Sequence, residues 1–253
     1  MSSIYYENNA LYDYLAARPH LPYRFFKAGL WHLVYGDQYY TPRLLILEIA
    51  ASKETYTQET LSPTQIPAFD LLKKVGRQCA LPVLVVKYEQ DSPQLQCVKV
   101  LDRQGFFCEI DLHELSRQYA NYGLPVRNSP TAKYLNDRNS SAYHVWQRQC
   151  LGQQLKVSDI DLWRLDEWGN VCAIYELKRS HIAIEKWQPY PEDYGNFKLL
   201  WNLADRAKCN FLLLYNVRIK HPFLDDISQI KIFKIQFNQQ PPIIFERIVR
   251  LLA

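Results

Sequence analysis

Residues 158–178 read SDIDLWRLDEWGNVCAIYELK. Two strand-like runs, residues 160–165 (IDLWRL) and 171–178 (VCAIYELK), are joined across Asp166, Glu167, Trp168, Gly169 and Asn170, a short glycine-containing turn of the kind that closes a β-hairpin. Side chains two apart on a strand share a face. Glu176 and Lys178 are therefore neighbours, on the face that also carries Cys172 and Ile174. Charges on such an apolar face need compensation, because an unpaired buried charge is costly. Asp161 begins the first strand, and the hairpin brings it beside Glu176, which makes a cluster of two carboxylates and an ammonium.

Working outward, residues 142–151 (AYHVWQRQCL) read as a helix before the hairpin. After it, residues 194–207 (YGNFKLLWNLADRA) place Phe197, Leu200, Leu203, Ala204 and Ala207 on one helical face. The run 210–217 (NFLLLYNV) is almost continuously apolar, as a centrally buried strand is. A strand over 229–237 and a helix over 243–252 complete the half, giving the order α-β-β-α-β-β-α.

The N-terminal half carries a similar order when compared at an offset of 128 residues. RLLILEIAAS at 43–52 falls on VCAIYELKRS, and residues 69–86 fall on 197–214, with seven identities in 28 positions: Ile46, Glu48, Ser52, Phe69, Leu71, Leu72 and Leu84. A true repeat and two unrelated helix-strand units of ordinary hydrophobic patterning both account for this. Gly, Pro, Asn and Ser cluster over residues 122–131, so the sequence predicts a linker there, with an α/β domain over 1–121 and a second over 132–253.

The charged cluster suits a divalent cation. Asp161, Glu176 and the backbone carbonyl of Leu177 can hold one Mg²⁺ or Mn²⁺, hard ions that keep several waters. Such a metal polarises a phosphate oxygen and lowers the pKa of its water. Lys178 can orient or deprotonate that water and offset charge that develops on phosphorus.

Glu-x-Lys alone has little specificity, but in this context (SDIDLW, then Glu-Leu-Lys, then an amphipathic helix and an apolar strand) residues 140–217 resemble the PD-(D/E)xK, restriction-endonuclease-like, nuclease superfamily. The form is most similar to the subgroup around Mrr-type restriction enzymes, archaeal Holliday-junction resolvases and NERD domains. The resemblance implies an αβββαβ core with a mixed central sheet, in two tandem copies if the repeat is real, and a Mg²⁺-dependent endonuclease acting on DNA. It selects Asp161 rather than Asp159 as the acidic ligand, with Glu176 as the other, Lys178 as the catalytic lysine and Asp159 kept as an auxiliary candidate. Val157-Ser158 replaces the proline of the pattern. The helix before the hairpin lacks the extra metal-binding Glu of many members; Gln147 is a candidate substitute, and Tyr194, Asn196 or Lys198 are candidates for a polar residue near the phosphate. In the first copy Glu48 matches Glu176, but Ala50 takes the lysine position and Gly29 the aspartate position, so that copy reads as degenerate.

The rest of the chain excludes more than it adds. Hydrophobic residues at 48% and charged residues at 22% are an ordinary globular mixture. No apolar run approaches the roughly 20 residues that span a bilayer, and the N-terminus has no signal-like pattern, so the expectation is a cytoplasmic protein with no membrane partner. The six cysteines lie far apart without CxxC pairs and read as reduced thiols. His144, His181 and His221 lack metal spacing, and among the eight glycines no phosphate-cradling loop occurs. A net charge of +4 favours a polyanionic partner only weakly. One centre cuts one strand, so double-strand cleavage needs a homodimer or a partner nuclease. The alternative function is a non-catalytic nucleic-acid-binding or assembly subunit on the same fold.

Overall fold

A computed structural model describes residues 8–26, 29–131 and 141–251. It is a mixed α/β protein with two six-stranded sheets in two compact units. The inserted unit is the contiguous stretch Phe26–Asp159; the terminal unit combines the chain up to Phe25 with Ile160 onward. The expected linker over 122–131 lies inside the inserted unit, and the unit boundaries fall instead at 25/26 and 159/160.

In the terminal unit, helix α1 (Ala10–Ala16) and strand β1 (Tyr23–Arg24) join β8 (Leu162–Leu165), β9 (Val171–Ser180), α6 (Tyr194–Arg206), β10 (Asn210–Ile219), β11 (Leu224–Ile235) and β12 (Ile243–Arg250). The sheet order is β1-β8-β9-β10-β11-β12, all neighbours antiparallel except β9 and β10. The inserted unit contains β2 (Leu30–Gly36), β3 (Pro42–Ala51), α2 (Lys53–Tyr56), α3 (Ile66–Cys79), β4 (Val83–Glu89), β5 (Cys97–Leu101), β6 (Phe107–Asp111), α4 (Leu112–Asn121), α5 (Ala142–Cys150) and β7 (Lys156–Asp159). Its sheet runs β7-β2-β3-β4-β5-β6 with the same directions, β3 and β4 being its parallel pair.

Each sheet is covered on both faces, which explains the apolar runs of β4 and β10. In the terminal unit Leu11 and Leu15 of α1 pack with Leu162, Ala173, Tyr175, Leu214, Ile230 and Ile232; burying each leucine contributes roughly 2 kcal/mol. α6 takes the opposite face. It starts after a 3-10 turn (Pro191–Asp193) and buries Phe197, Leu200, Leu203 and Ala204. In the inserted unit α3 covers one face, and α5, with Tyr143 and Trp146, covers the other.

Two sequence expectations fail here. Residues 243–250 form strand β12, not a helix, while residue 252 lies outside the described residues. The helix expected to open the second half is α5, and it belongs with β7 to the inserted unit; α1 is the helix packed on the sheet that carries Asp161. Among the described residues no helix is long and apolar enough to cross a membrane.

The 128-residue offset also needs correction. Both hairpins turn on an aspartate whose Oδ1 accepts from the N–H groups two and four residues on: Asp37 from Tyr39 and Thr41, Asp166 from Trp168 and Asn170. The left-handed residue is Tyr40 in one turn and Gly169 in the other. Both hairpins then slip register at the same step. These features match at an offset of 129, whereas the parallel pairs Ile46–Leu84 and Tyr175–Leu212 set the following strands at 128. A one-residue change moves a strand residue to the other face. Glu48 therefore does not correspond to Glu176. The equivalents of Asp161, Glu176 and Lys178 are His32, Leu47 and Ile49, in place of Gly29, Glu48 and Ala50.

Candidate functional site

The site is built at the open end of the β8–β9 hairpin. Leu162 pairs with Tyr175, so Asp161 stands one step beyond the ladder, level with Glu176. Its carboxylate is aimed by main chain: the Leu177 N–H donates to Asp161 Oδ2 at 2.7 Å. Its own peptide is fixed from α1, where the Tyr12 hydroxyl donates to the Asp161 carbonyl at 2.8 Å. Tyr12 is itself held by stacking on Phe25, ring centroids 4.4 Å apart.

Glu176 is buried, and Lys178 lies beside it with Nζ 3.1 Å from Oε1. Strand alternation places both on the α6 face, where the Lys178 ammonium is 5.5 Å from the Phe197 ring centroid. The sequence did not identify the third acid. Asp193, at the start of α6, has Oδ2 3.4 Å from Lys178 Nζ. An acid just before a helix is the usual complement of the helix dipole, so its position drew no notice in the sequence. Burial works against the Lys178 ammonium, but Glu176, Asp193 and Asp161 outweigh it and hold the pKa above the ordinary lysine range.

The loop between Lys178 and Asp193 is pinned to the sheet. Tyr215 donates to the Ile182 carbonyl at 2.5 Å, and its ring stacks on Trp187 at 4.1 Å. Lys231, only 3% exposed, donates to the carbonyls of Glu185 at 3.0 Å and Trp187 at 2.8 Å. Two buried side chains on β10 and β11 thus fix where Asp193 meets Lys178.

The auxiliary candidates fare differently. Gln147 and Asp159 belong to α5 and β7 of the inserted unit and are not brought to Asp161 within the terminal unit. Gln147 is buried and donates to the Tyr35 hydroxyl. On α6, Tyr194 packs against Phe197 and Phe237, Asn196 is half-buried and Lys198 is exposed.

In the inserted unit the corresponding face is closed. His32 Nε2 meets the Ala68 carbonyl at 3.0 Å, and burial drives its pKa down to about 3. Glu48 points to the other side, towards α5. It is fully buried, and His144 Nε2 is 3.6 Å from its Oε1. Burial raises its pKa to about 8, the nearby Tyr88 hydroxyl eases that shift and Asp159 adds to it. Among the described residues no hydrogen-bond partner reaches either carboxylate oxygen.

Among the described residues no group of three or more His, Cys, Asp or Glu side chains is placed to hold a metal ion. A centre at the hairpin end would rest on two acidic ligands, Asp161 and Glu176, and the Leu177 carbonyl. No protein-family model matches the chain, and none of the curated proteins is significantly similar to it.

Proposed function

We propose that this chain is a divalent-metal-dependent endonuclease of the PD-(D/E)xK type that hydrolyses phosphodiester bonds in DNA, acting in the cytoplasm. The observation that carries the reading is the placing of Asp161 level with Glu176, with Lys178 on the same strand. The order α1-β1-β8-β9-α6-β10 in the terminal unit supports it, because Asp161 immediately precedes the second strand and Glu176 lies on the third strand of an αβββαβ series. The donor set is of the kind Mg²⁺ or Mn²⁺ takes: the Asp161 and Glu176 carboxylates and the Leu177 carbonyl would supply hard oxygen ligands, with Asp193 a further acid beside Lys178. When bound, such an ion polarises a phosphate oxygen and acidifies a water.

The chain's own groups divide the remaining work. Leu177 N–H keeps Asp161 turned towards β9. Lys178, held beside Glu176 and Asp193, would orient or deprotonate the attacking water, or donate to a phosphate oxygen. One centre per chain nicks one strand; cutting both requires a second copy or a partner nuclease. A non-catalytic DNA-binding or assembly subunit is the second reading, favoured by the apolar Leu47 and Ile49 of the inserted unit.

The test is incubation of supercoiled plasmid with the full chain and Mg²⁺ or Mn²⁺. Nicking that stops with EDTA and falls at least a hundredfold in Asp161→Asn, Glu176→Gln and Lys178→Ala is the expected result. Cutting that survives Lys178→Ala or EDTA removes the proposed centre. DNA binding without cutting in either metal selects the second reading.

A further inference from the structure

β12 is the outer strand of the terminal unit's sheet; among the described residues it pairs with β11 alone. It reads IIFERIVR, and residues 245–248 are all exposed, including Phe245 at 50% and Ile248 at 37%. An unpaired edge is a template for another strand, and proteins ordinarily discourage this with charge or a bulge. β12 has both, but arranged so that one pairing is favoured.

The bulge is the first element. The β11–β12 register shifts between Ile232 and Phe233, leaving Glu246 as the extra residue between Arg247, opposite Ile232, and Phe245, opposite Phe233. Strand alternation alone would put Phe245 and Ile248 on opposite faces. The extra residue brings them to the same one: Phe245 meets Phe233 edge-on at 5.9 Å, its ring centroid is 5.6 Å from Lys231 Nζ, and Ile248 pairs with Lys231. The charges are the second element. Read antiparallel to itself about the Glu246–Arg247 step, β12 sets Glu246 against Arg247 and Phe245 against Ile248, each twice by symmetry. Ile244 then faces Val249.

We propose that β12 is a dimerisation edge on which a second copy of this chain docks its own β12, antiparallel and centred between Glu246 and Arg247, making one continuous sheet across the two copies. The order of charge and apolar residues is self-complementary in that register. This stands independently of the nuclease reading, although it would supply two centres where that reading has one.

Sedimentation equilibrium on the full chain tests it. The wild type is expected to dimerise. Glu246→Arg and Arg247→Glu each place like charges face to face at two symmetric positions, so each alone should weaken the dimer at least tenfold. Mixed together, the two variants present Arg-Arg on one strand and Glu-Glu on the other, and should associate as a heterodimer. The double variant E246R/R247E restores self-complementarity and should dimerise like wild type. A monomeric wild type, single variants that dimerise unchanged, or a mixture that stays monomeric would each overturn the proposal. The mixture also separates misfolding from lost pairing, because misfolded chains would not rescue one another.

Discussion

Replacing Glu48 by Gln should make the inserted unit less sensitive to alkali, by an amount that follows from its burial. The carboxyl is fully buried and has a pKa of about 8 in the folded chain, against 4.5 for an ordinary glutamate. Below the lower value both folded and unfolded chains carry the proton, and this group adds no pH dependence. Between the two, the folded chain keeps a proton that the unfolded chain releases, so stability falls as pH rises. Each pH unit is worth about 1.4 kcal/mol, and the whole interval about 5 kcal/mol as an upper figure. Glutamine has nearly the same shape and no proton to lose. Its variant should therefore lack this slope, and the wild-type disadvantage should widen between pH 5 and pH 8. Denaturant unfolding of both chains across that range reads the difference directly. Burial lowers the pKa of His144, 3.6 Å away, with Asp159 opposing and Arg148 assisting, which disfavours a compensating charge there. Parallel stability curves for the two chains would refute the reasoning, and so would a wild type that gains stability as pH rises.

Two further outcomes follow from buried polar groups of the terminal unit. Arg218 and Asp225 form a 2.6 Å ion pair with side chains only 4% and 3% exposed, so Arg218→Met should cost about 3–5 kcal/mol by stranding the aspartate, measured by urea unfolding. Lys231→Met should leave the carbonyls of Glu185 and Trp187 without their donor, at about 1–3 kcal/mol, and hydrogen exchange should quicken at residues 182–188 while the distant strands stay protected. Unchanged exchange in that loop would show that Tyr215 and Trp187 hold it without the lysine.

The parts of the fold that were legible in the sequence are those governed by neighbours along the chain. The β8–β9 hairpin was readable because its turn residues and alternation are local, and β10 because a strand covered on both faces has no polar alternation to hide it. β12 was misread for a physical reason. Its bulge puts Phe245 and Ile248 on one face at a spacing of three, which in a sequence is indistinguishable from helical periodicity. The likeness between the two halves was visible but placed one residue out along β3 and β9, since side-chain identity at Ile46 and Glu48 says nothing about which face a strand presents. Asp193 was out of reach because a loop fixed by Tyr215 and Lys231, both distant in sequence, brings it to Lys178.

The boundaries at 25/26 and 159/160 also set an order of events during synthesis. α1 leaves the ribosome before the inserted unit, and the strands β8 to β11 that cover Leu11 and Leu15 follow more than a hundred residues later, after the whole inserted unit has been made. The inserted unit can fold while the chain grows; the sheet bearing Asp161, Glu176 and Lys178 cannot be completed until the strands after Ile160 have been made. A fragment starting at residue 132 would contain all three residues and still lack the helix and strand that close their core.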